Sequence, residues 1–167
     1  MSARLQPAFW GGLFIGVLSA LPFIGGLNWC CCLWVVVGGA LTTYLLQERS
    51  TTPVTAGDAA IAGLVAGAIG AVVGSVLSPA VALVTGMTVR DQLDQIERAL
   101  TDLPPEAAEV LVQLRDVPAA FWFLVSFVVV LVIYPIFSVL GALLGVAMFR
   151  RTPPPPPPGT VEVLPPE

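Results

Sequence analysis

Residues 59–84 read AAIAGLVAGAIGAVVGSVLSPAVALV, a stretch that carries no charge and has small residues at nearly every turn. The small residues fall in two adjacent rows with a spacing of four, Ala59, Gly63, Gly67, Ala71 and Ser75, then Ala62, Ala66, Gly70, Gly74 and Ser78. Rows of this glycine-zipper type let helix backbones approach closely, which is how helices associate inside a bilayer. The stretch therefore predicts a membrane-spanning helix that packs tightly against its neighbours.

Charge-free stretches on either side predict three further spans. No charge occurs between Arg4 and Glu48 or between Asp116 and Arg150, which leaves 43 and 33 consecutive uncharged residues. Since about 20 apolar residues cross a bilayer core, the first stretch holds two spans and the second holds one, kinked at Pro135. We predict an all-α fold, a four-helix transmembrane bundle, with spans at about 7–24, 28–46, 59–84 and 118–149.

The composition also places most of the chain in lipid. Of the 167 residues, 56% are hydrophobic and 11% are charged, and the mean hydropathy is +0.90. A soluble domain carries about 25% charged residues, so an ordinary soluble fold is excluded. We expect the first segment to be retained rather than cleaved, because no small-residue cleavage site precedes a polar mature start.

The arginines near span ends predict the orientation. Four spans put both termini on one side, which would hold Arg4, Arg49, Arg150 and Arg151, whereas the other side would hold Arg90, Arg98 and Arg115. Cytoplasmic flanks of membrane proteins carry an excess of basic residues. Both termini are therefore expected to be cytoplasmic.

The segment at 88–117 is predicted to be an amphipathic helical hairpin outside the bilayer, between spans 3 and 4. An apolar stripe recurs there at spacings of 4, 3, 4 and 3, formed by Val89, Leu93, Ile96, Leu100 and Leu103. Seven acids against three arginines in this segment disfavour attachment to anionic headgroups. Two interpretations stay open: the hairpin lies on the membrane surface or over the bundle, or its stripe is a surface for self-association or for a protein partner.

Small residues in the other spans extend the packing pattern. Gly141 and Gly145 are four residues apart in span 4, and Gly12 and Gly16 are four residues apart in span 1. The rows indicate close helix packing but not its partner. Packing of the four spans within one chain is the favoured interpretation, and homo-oligomerisation through span 3, with or without a pore, is the alternative.

Residue types needed for catalysis are scarce in this sequence. The chain has no His and no Lys, which are the commonest general base and the commonest amine nucleophile. No charge lies well inside a span, where coupled carriers usually keep one. We predict no enzyme, no cofactor and no nucleic-acid partner. A non-catalytic membrane scaffold or assembly protein is the favoured function, and an oligomeric channel or passive permease built on the small-residue face of span 3 is the alternative.

A cysteine triplet, Cys30, Cys31 and Cys32, stands at the start of span 2 between Trp29 and Trp34. Thiolates bind soft metals, but successive helical residues point about 100° apart, so one chain cannot wrap all three around an ion. The triplet is therefore either a set of small, soft packing residues or a metal or redox site completed by a second subunit or a partner.

The C-terminal tail, residues 152–167, contains eight prolines, six of them contiguous from Pro153 to Pro158. Proline fixes φ and removes a hydrogen-bond donor, which predicts an extended polyproline II arm. We expect a disordered cytoplasmic tail, with recognition by an aromatic groove of a protein partner as the alternative.

The run LPFIGGLNWCCCLW at 21–34, followed by Gly38-Gly39-Ala40 and by PVTAGD at 53–58, resembles a group of small uncharacterised bacterial multi-pass membrane proteins. The resemblance covers roughly residues 11–74 and does not include the tail. It implies a location in the bacterial inner (plasma) membrane and assigns no activity.

Overall fold

The computed structural model describes residues 5–21, 32–86 and 117–149, together with positions 24, 28, 91, 94 and 98. The continuous described ranges form four helices and no strand, and the five isolated positions are also helical, which confirms the all-α prediction. The helices are α1 (Leu5–Ala20), α2 (Leu33–Arg49), α3 (Ala56–Thr85) and α4 (Ala119–Met148). Helix α4 continues through Pro135 as a single element, as the sequence predicts.

Helices α3 and α4 are the two described helices that are long and apolar enough to cross a membrane. Each has 30 residues, or about 45 Å at 1.5 Å per residue. Helix α1 is apolar but has 16 residues, and the 17 residues of α2 end in Glu48 and Arg49. The pairs α1–α2 and α3–α4 therefore differ in length by almost a factor of two.

Helices α1 and α2 are also offset from the predicted spans at 7–24 and 28–46. Helix α1 ends at Ala20, and α2 begins at Leu33 and runs on to Arg49. The start of α2 is fixed by Cys32, whose backbone is left-handed (φ 47°, ψ 36°) and cannot continue a right-handed helix. The hydropathy of the sequence does not indicate where the backbone adopts a left-handed conformation.

Each helix runs opposite in direction to the one before it in the chain. Around the bundle, neighbouring helices follow the order α1, α3, α4, α2. An Arg49–Gln6 hydrogen bond joins the end of α2 to the start of α1, and the Tyr44 and Phe149 rings meet edge to face at 5.3 Å. We call this end of the bundle, with the N-terminus of α3, the near end. The far end is where α3 finishes and α4 begins.

Side-chain caps fix the connection between α2 and α3 at the near end. Thr55 caps α3: its Oγ1 accepts from the Asp58 backbone N–H at 3.2 Å and donates to the Asp58 carboxylate at 2.9 Å. The Asp58 carboxylate also suits the positive end of the helix dipole. Gln47 Oε1 accepts from the Val54 N–H at 3.1 Å, which ties the connection back onto α2. Gly86, with φ 68°, terminates α3.

Candidate functional site

The first small-residue row of α3 faces α4. A Cβ added to Gly67 would lie 2.5 Å from Pro135 Cα and 2.7 Å from the Tyr134 carbonyl oxygen. A Cβ added to Gly63 would lie 2.7 Å from the Ala142 Cβ. Real Cβ atoms essentially never approach heavy atoms within 3.0 Å, so these two positions accept only glycine at this helix separation.

The second row of α3 faces α1. A Cβ on Gly70 would lie 2.6 Å from the Ile15 Cγ2 atom, and one on Gly74 would lie 3.6 Å from the Gly16 carbonyl oxygen. From the opposite side, a Cβ on Gly12 would approach the Ala66 carbonyl oxygen to 2.7 Å. Both rows are thus occupied by helices of the same chain along this section, and neither is left open for a second subunit.

A third glycine interface joins α2 and α4. Gly141 lies against the backbone of Val36, and a Cβ on Gly145 would lie 2.9 Å from the Thr43 Cβ. Gly39 on α2 meets the Ser138 backbone, and Gly38 meets Ile15. Gly38 and Gly39 contribute to the resemblance in the sequence, but their packing role was not predicted from it. Their position within an apolar run was the available signal.

Polar side chains are buried on α2 and α4, and of these Thr42 faces Gly11 of α1. Thr42, Thr43 and Ser138 are fully buried, and Gln47 is 6% exposed. Thr43 Oγ1 donates to the Ala142 carbonyl at 2.9 Å and so links two helices, whereas Thr42 Oγ1 donates to Gly38 within its own helix at 2.8 Å. The Ser138 hydroxyl and the Gln47 Nε2 lack a hydrogen-bond partner in the structure, and each could satisfy one more hydrogen bond.

A second polar cluster marks the ends of α1 and α2 that point toward the far end. Asn28 Nδ2 donates to Ser19 Oγ at 3.0 Å and to Tyr134 Oη at 3.3 Å, and so connects α1 with α4. The Trp34 indole donates to the Ile24 carbonyl at 2.7 Å. We call this cluster, formed by Ser19, Ile24, Asn28 and Trp34, the α1–α2 tip.

The cysteine triplet is described only at Cys32, since Cys30 and Cys31 lie outside the described residues. Cys32 is half-buried and packs against the core cluster that includes Ile15 and Val35. Among the residues that the structure describes, no group of three His, Cys, Asp or Glu side chains could hold a metal ion. Packing is thus the role that the geometry gives to Cys32, and metal or redox chemistry of the whole triplet stays a prediction.

The other predicted surfaces fall largely outside the described residues. This holds for the hairpin stripe Leu93, Ile96, Leu100 and Leu103 and for the tail at 152–167. Within the hairpin segment, Asp91, Asp94 and Arg98 are helical positions, and the side chains of Asp91 and Arg98 are exposed.

Comparison of the chain with protein-family models, with curated proteins and with solved structures finds no match. Function has to be inferred from residues and packing. Across the described part of the interior, the buried polar groups are hydroxyls and one amide, with no buried carboxylate, guanidinium or ammonium. Such groups can hydrogen-bond, but at ordinary pH they do not exchange protons as acid–base catalysts do.

Proposed function

We propose that this protein is an integral membrane protein whose four helices form one bundle embedded in the bilayer. The observation that carries the proposal is that large hydrophobic side chains lie mostly on the surface and small residues lie mostly in the interior. In the described part, twenty-eight large hydrophobic side chains are exposed, whereas the buried hydrophobic residues larger than alanine are Ile15, Val35 and Leu46. A soluble monomer rarely exposes a contiguous apolar patch above about 600 Å², so the number of exposed apolar side chains supports a surface that faces lipid.

All four helices share this distribution of side-chain sizes, which supports extending the proposal to α1 and α2. On α1 the exposed side chains include Phe9, Trp10 and Val17, and on α2 they include Leu33 and Val37. Helices this apolar on the outside need a lipid environment even though they are short. The simplest form of the proposal is a four-span bundle, which requires that α1 and α2 also cross the bilayer.

The proposed activity is that of a non-catalytic scaffold or assembly protein. The interior is filled by helix backbones, small residues and hydroxyls, which supports a structural role for the bundle. The parts of the chain with chemistry suited to partners are the acidic hairpin segment and the proline-rich tail. The channel alternative needs a free small-residue face on α3, and the glycine section of both rows, from Gly63 to Gly74, is occupied by α1 and α4, so the packing favours the scaffold.

We place the protein in the bacterial inner membrane with both termini cytoplasmic. Alternating helix directions support a common side for the two termini. Arg49 lies at the near end, and Arg4, Arg150 and Arg151 adjoin the helix ends found there. A basic near end facing the cytoplasm agrees with the bias of membrane proteins for basic cytoplasmic flanks.

The membrane proposal is tested by placing a charge on the outer face of α3. Val72 is 46% exposed near the middle of that helix, so Val72→Arg would put a guanidinium among acyl chains. An arginine at the centre of a span costs about 2.5–3.5 kcal/mol of insertion free energy. Val72→Arg should lose most of its carbonate-resistant membrane fraction, and the matched control Val72→Ala should keep it. An arginine variant that stays folded in a soluble fraction would refute the proposal.

The scaffold is distinguished from the channel by reconstitution. The purified chain in liposomes should leave ion conductance at the level of empty vesicles and should co-purify with protein partners from its membrane. Removing residues 152–167, or changing Leu93 and Leu100 to Asp, should release those partners without dissolving the bundle. Conductance that scales with protein content would instead establish the channel.

A further inference from the structure

Helices α3 and α4 continue well beyond the α1–α2 tip. The Asn28–Tyr134 hydrogen bond places the tip at the level of Tyr134 on α4. From there α4 extends 15 residues further toward the far end, or about 22 Å. No residue at 120–133 is buried, and none at 75–85 on α3 is buried either. Among the described helices, all four pack together toward the near end, whereas α3 and α4 continue toward the far end beyond α1 and α2.

The length of α4 matches a whole bilayer rather than its core alone. From Phe121 to Phe149 there are 28 residue steps, or about 42 Å. A bilayer with its headgroup regions is about 40–45 Å thick. Aromatic side chains stand at both limits, Phe121 and Trp122 at the far end and Tyr44 with Phe149 at the near end, where interfacial aromatic belts are expected.

The residues between the tip and the far limit are suited to acyl chains and not to water. Exposed large hydrophobic side chains crowd this section of α4, namely Phe123, Leu124, Val125, Val128, Val129 and Val132. No charged residue occurs between Val117 and Phe149. If the tip marked the far interface, these side chains would project into water.

The side-chain donors of the tip are paired within the protein, which fits membrane depth. Backbone and side-chain polar groups at membrane depth need partners within the protein or in a water-filled cavity. The Trp34 indole satisfies the Ile24 carbonyl, and the Asn28 amide is shared between Ser19 and Tyr134. The side-chain donors of Asn28 and Trp34 thus find acceptors within the protein, whereas the buried Asn28 Oδ1 has no hydrogen-bond partner in the structure.

We infer that α1 and α2 form a re-entrant pair whose tip ends inside the bilayer, and that acyl chains of the far leaflet cover the exposed faces of α3 and α4 above it. The inference rests on the proposed membrane location and changes the number of complete crossings from four to two. The two termini stay on one side of the membrane, since α3 and α4 still cross in opposite directions.

Two native tryptophans report the depth directly. Gly141 lies against Val36, so Trp34 on the parallel helix α2 stands at about the level of Val139. That level is 17 residues, or about 25 Å, from Trp122 along α4. Trp34 should therefore lie deep in the bilayer, while Trp122 lies at the far interface.

The test uses two full-length variants that keep Trp34 alone or Trp122 alone, with the other tryptophans changed to Phe. Each is reconstituted into bilayers whose lipids carry bromine near the glycerol or near the chain terminus. Deep bromines should quench Trp34 more strongly, and shallow bromines should quench Trp122 more strongly. Stronger shallow quenching of Trp34 together with an unquenched Trp122 would overturn the inference, because the tip would then define the far interface. Absence of quenching at both positions would instead refute the membrane location itself.

The variant that keeps Trp122 alone lacks the Trp34–Ile24 hydrogen bond, because Trp34 is changed to Phe. A second measurement controls for any structural change that this loss causes. A fluorophore on Phe121→Cys, in a chain whose three native cysteines are serine, keeps Trp34 intact. Shallow bromines should quench this fluorophore more than deep ones. An unquenched fluorophore in a chain of native helical content would overturn the inference.

Discussion

Gly67→Ala tests the closest contact between α3 and α4 with a single methyl group. The added Cβ would lie 2.5 Å from Pro135 Cα and 2.7 Å from Pro135 N, which are backbone atoms. Backbone cannot rotate away as a flexible side chain can. To reach an ordinary contact of 3.4 Å, α3 and α4 would have to separate locally by about 0.9 Å.

The expected cost follows from that separation. Overpacking a tightly packed interior typically costs about 1–3 kcal/mol, and the glycine-to-alanine change returns about 0.5–1 kcal/mol of helix propensity. We therefore expect Gly67→Ala to lower the free energy of unfolding by about 1–2 kcal/mol. Pro135 increases this expected loss of stability, because its ring restricts the backbone atoms that the added methyl group would contact.

Gly74→Ala on the same helix is the matched control. Its Cβ would lie 3.6 Å from the Gly16 carbonyl oxygen and 3.7 Å from Gly16 Cα, which are ordinary van der Waals distances. This variant gains helix propensity without a clash, so its stability should equal or exceed that of the native chain. The two alanine variants add the same atoms to the same helix and differ in what the methyl group meets.

The assay is reversible unfolding in mild detergent, with SDS as denaturant and the helical signal in circular dichroism as the readout. Gly67→Ala should unfold at a lower SDS fraction than the native chain, and Gly74→Ala at the same fraction or a higher one. Equal shifts for both variants, or a stabilised Gly67→Ala, would show that α3 and α4 do not pack through this row.

Three further predictions use the same unfolding assay. Thr43→Val removes an interhelical hydrogen bond and should lower the free energy of unfolding by about 0.5–2 kcal/mol. Thr42→Val removes a hydrogen bond within one helix and should lower it by less. Equal losses of stability in the two variants would argue against the α2–α4 hydrogen bond. Asn28→Ala removes the side chain shared by α1 and α4 and should cost about 1–2 kcal/mol, and an unchanged midpoint would contradict the tip geometry. Cys32→Gly should be more stable than Cys32→Ala by about 1 kcal/mol, because both variants lose the packing of the Cys32 side chain and glycine adopts a left-handed backbone freely; equal midpoints would rule this out.

The sequence predicts α3 and α4 well because their signal is long and one-dimensional. Uninterrupted apolar residues set the length of each helix, and the predicted ends at 59–84 and 118–149 lie within three residues of those observed. The tip between α1 and α2 was less predictable. It depends on the left-handed Cys32 and on an indole-to-carbonyl bond, both of which are set by tertiary packing.

The small-residue rows were visible in the sequence, but their partners were not. A spacing of four marks a face of a helix, and it is the same whether that face meets α1, α4 or another subunit. Which helix each row meets is decided by the direction and order of the helices around the bundle. The Gly38–Gly39 pair shows the same limit, since two adjacent glycines point to different helices, one to α1 and one to α4.

The glycine and alanine interfaces have an entropic consequence. Leucine or isoleucine loses about 0.5–1 kcal/mol of rotamer freedom when it is buried, whereas glycine and alanine have no such freedom to lose. The side chains with many rotamers, such as Leu64 and Leu144, lie on the outer surface instead. In the proposed membrane location these side chains can keep moving among fluid acyl chains, so the helices can associate while most of the side-chain disorder of the separated helices is retained.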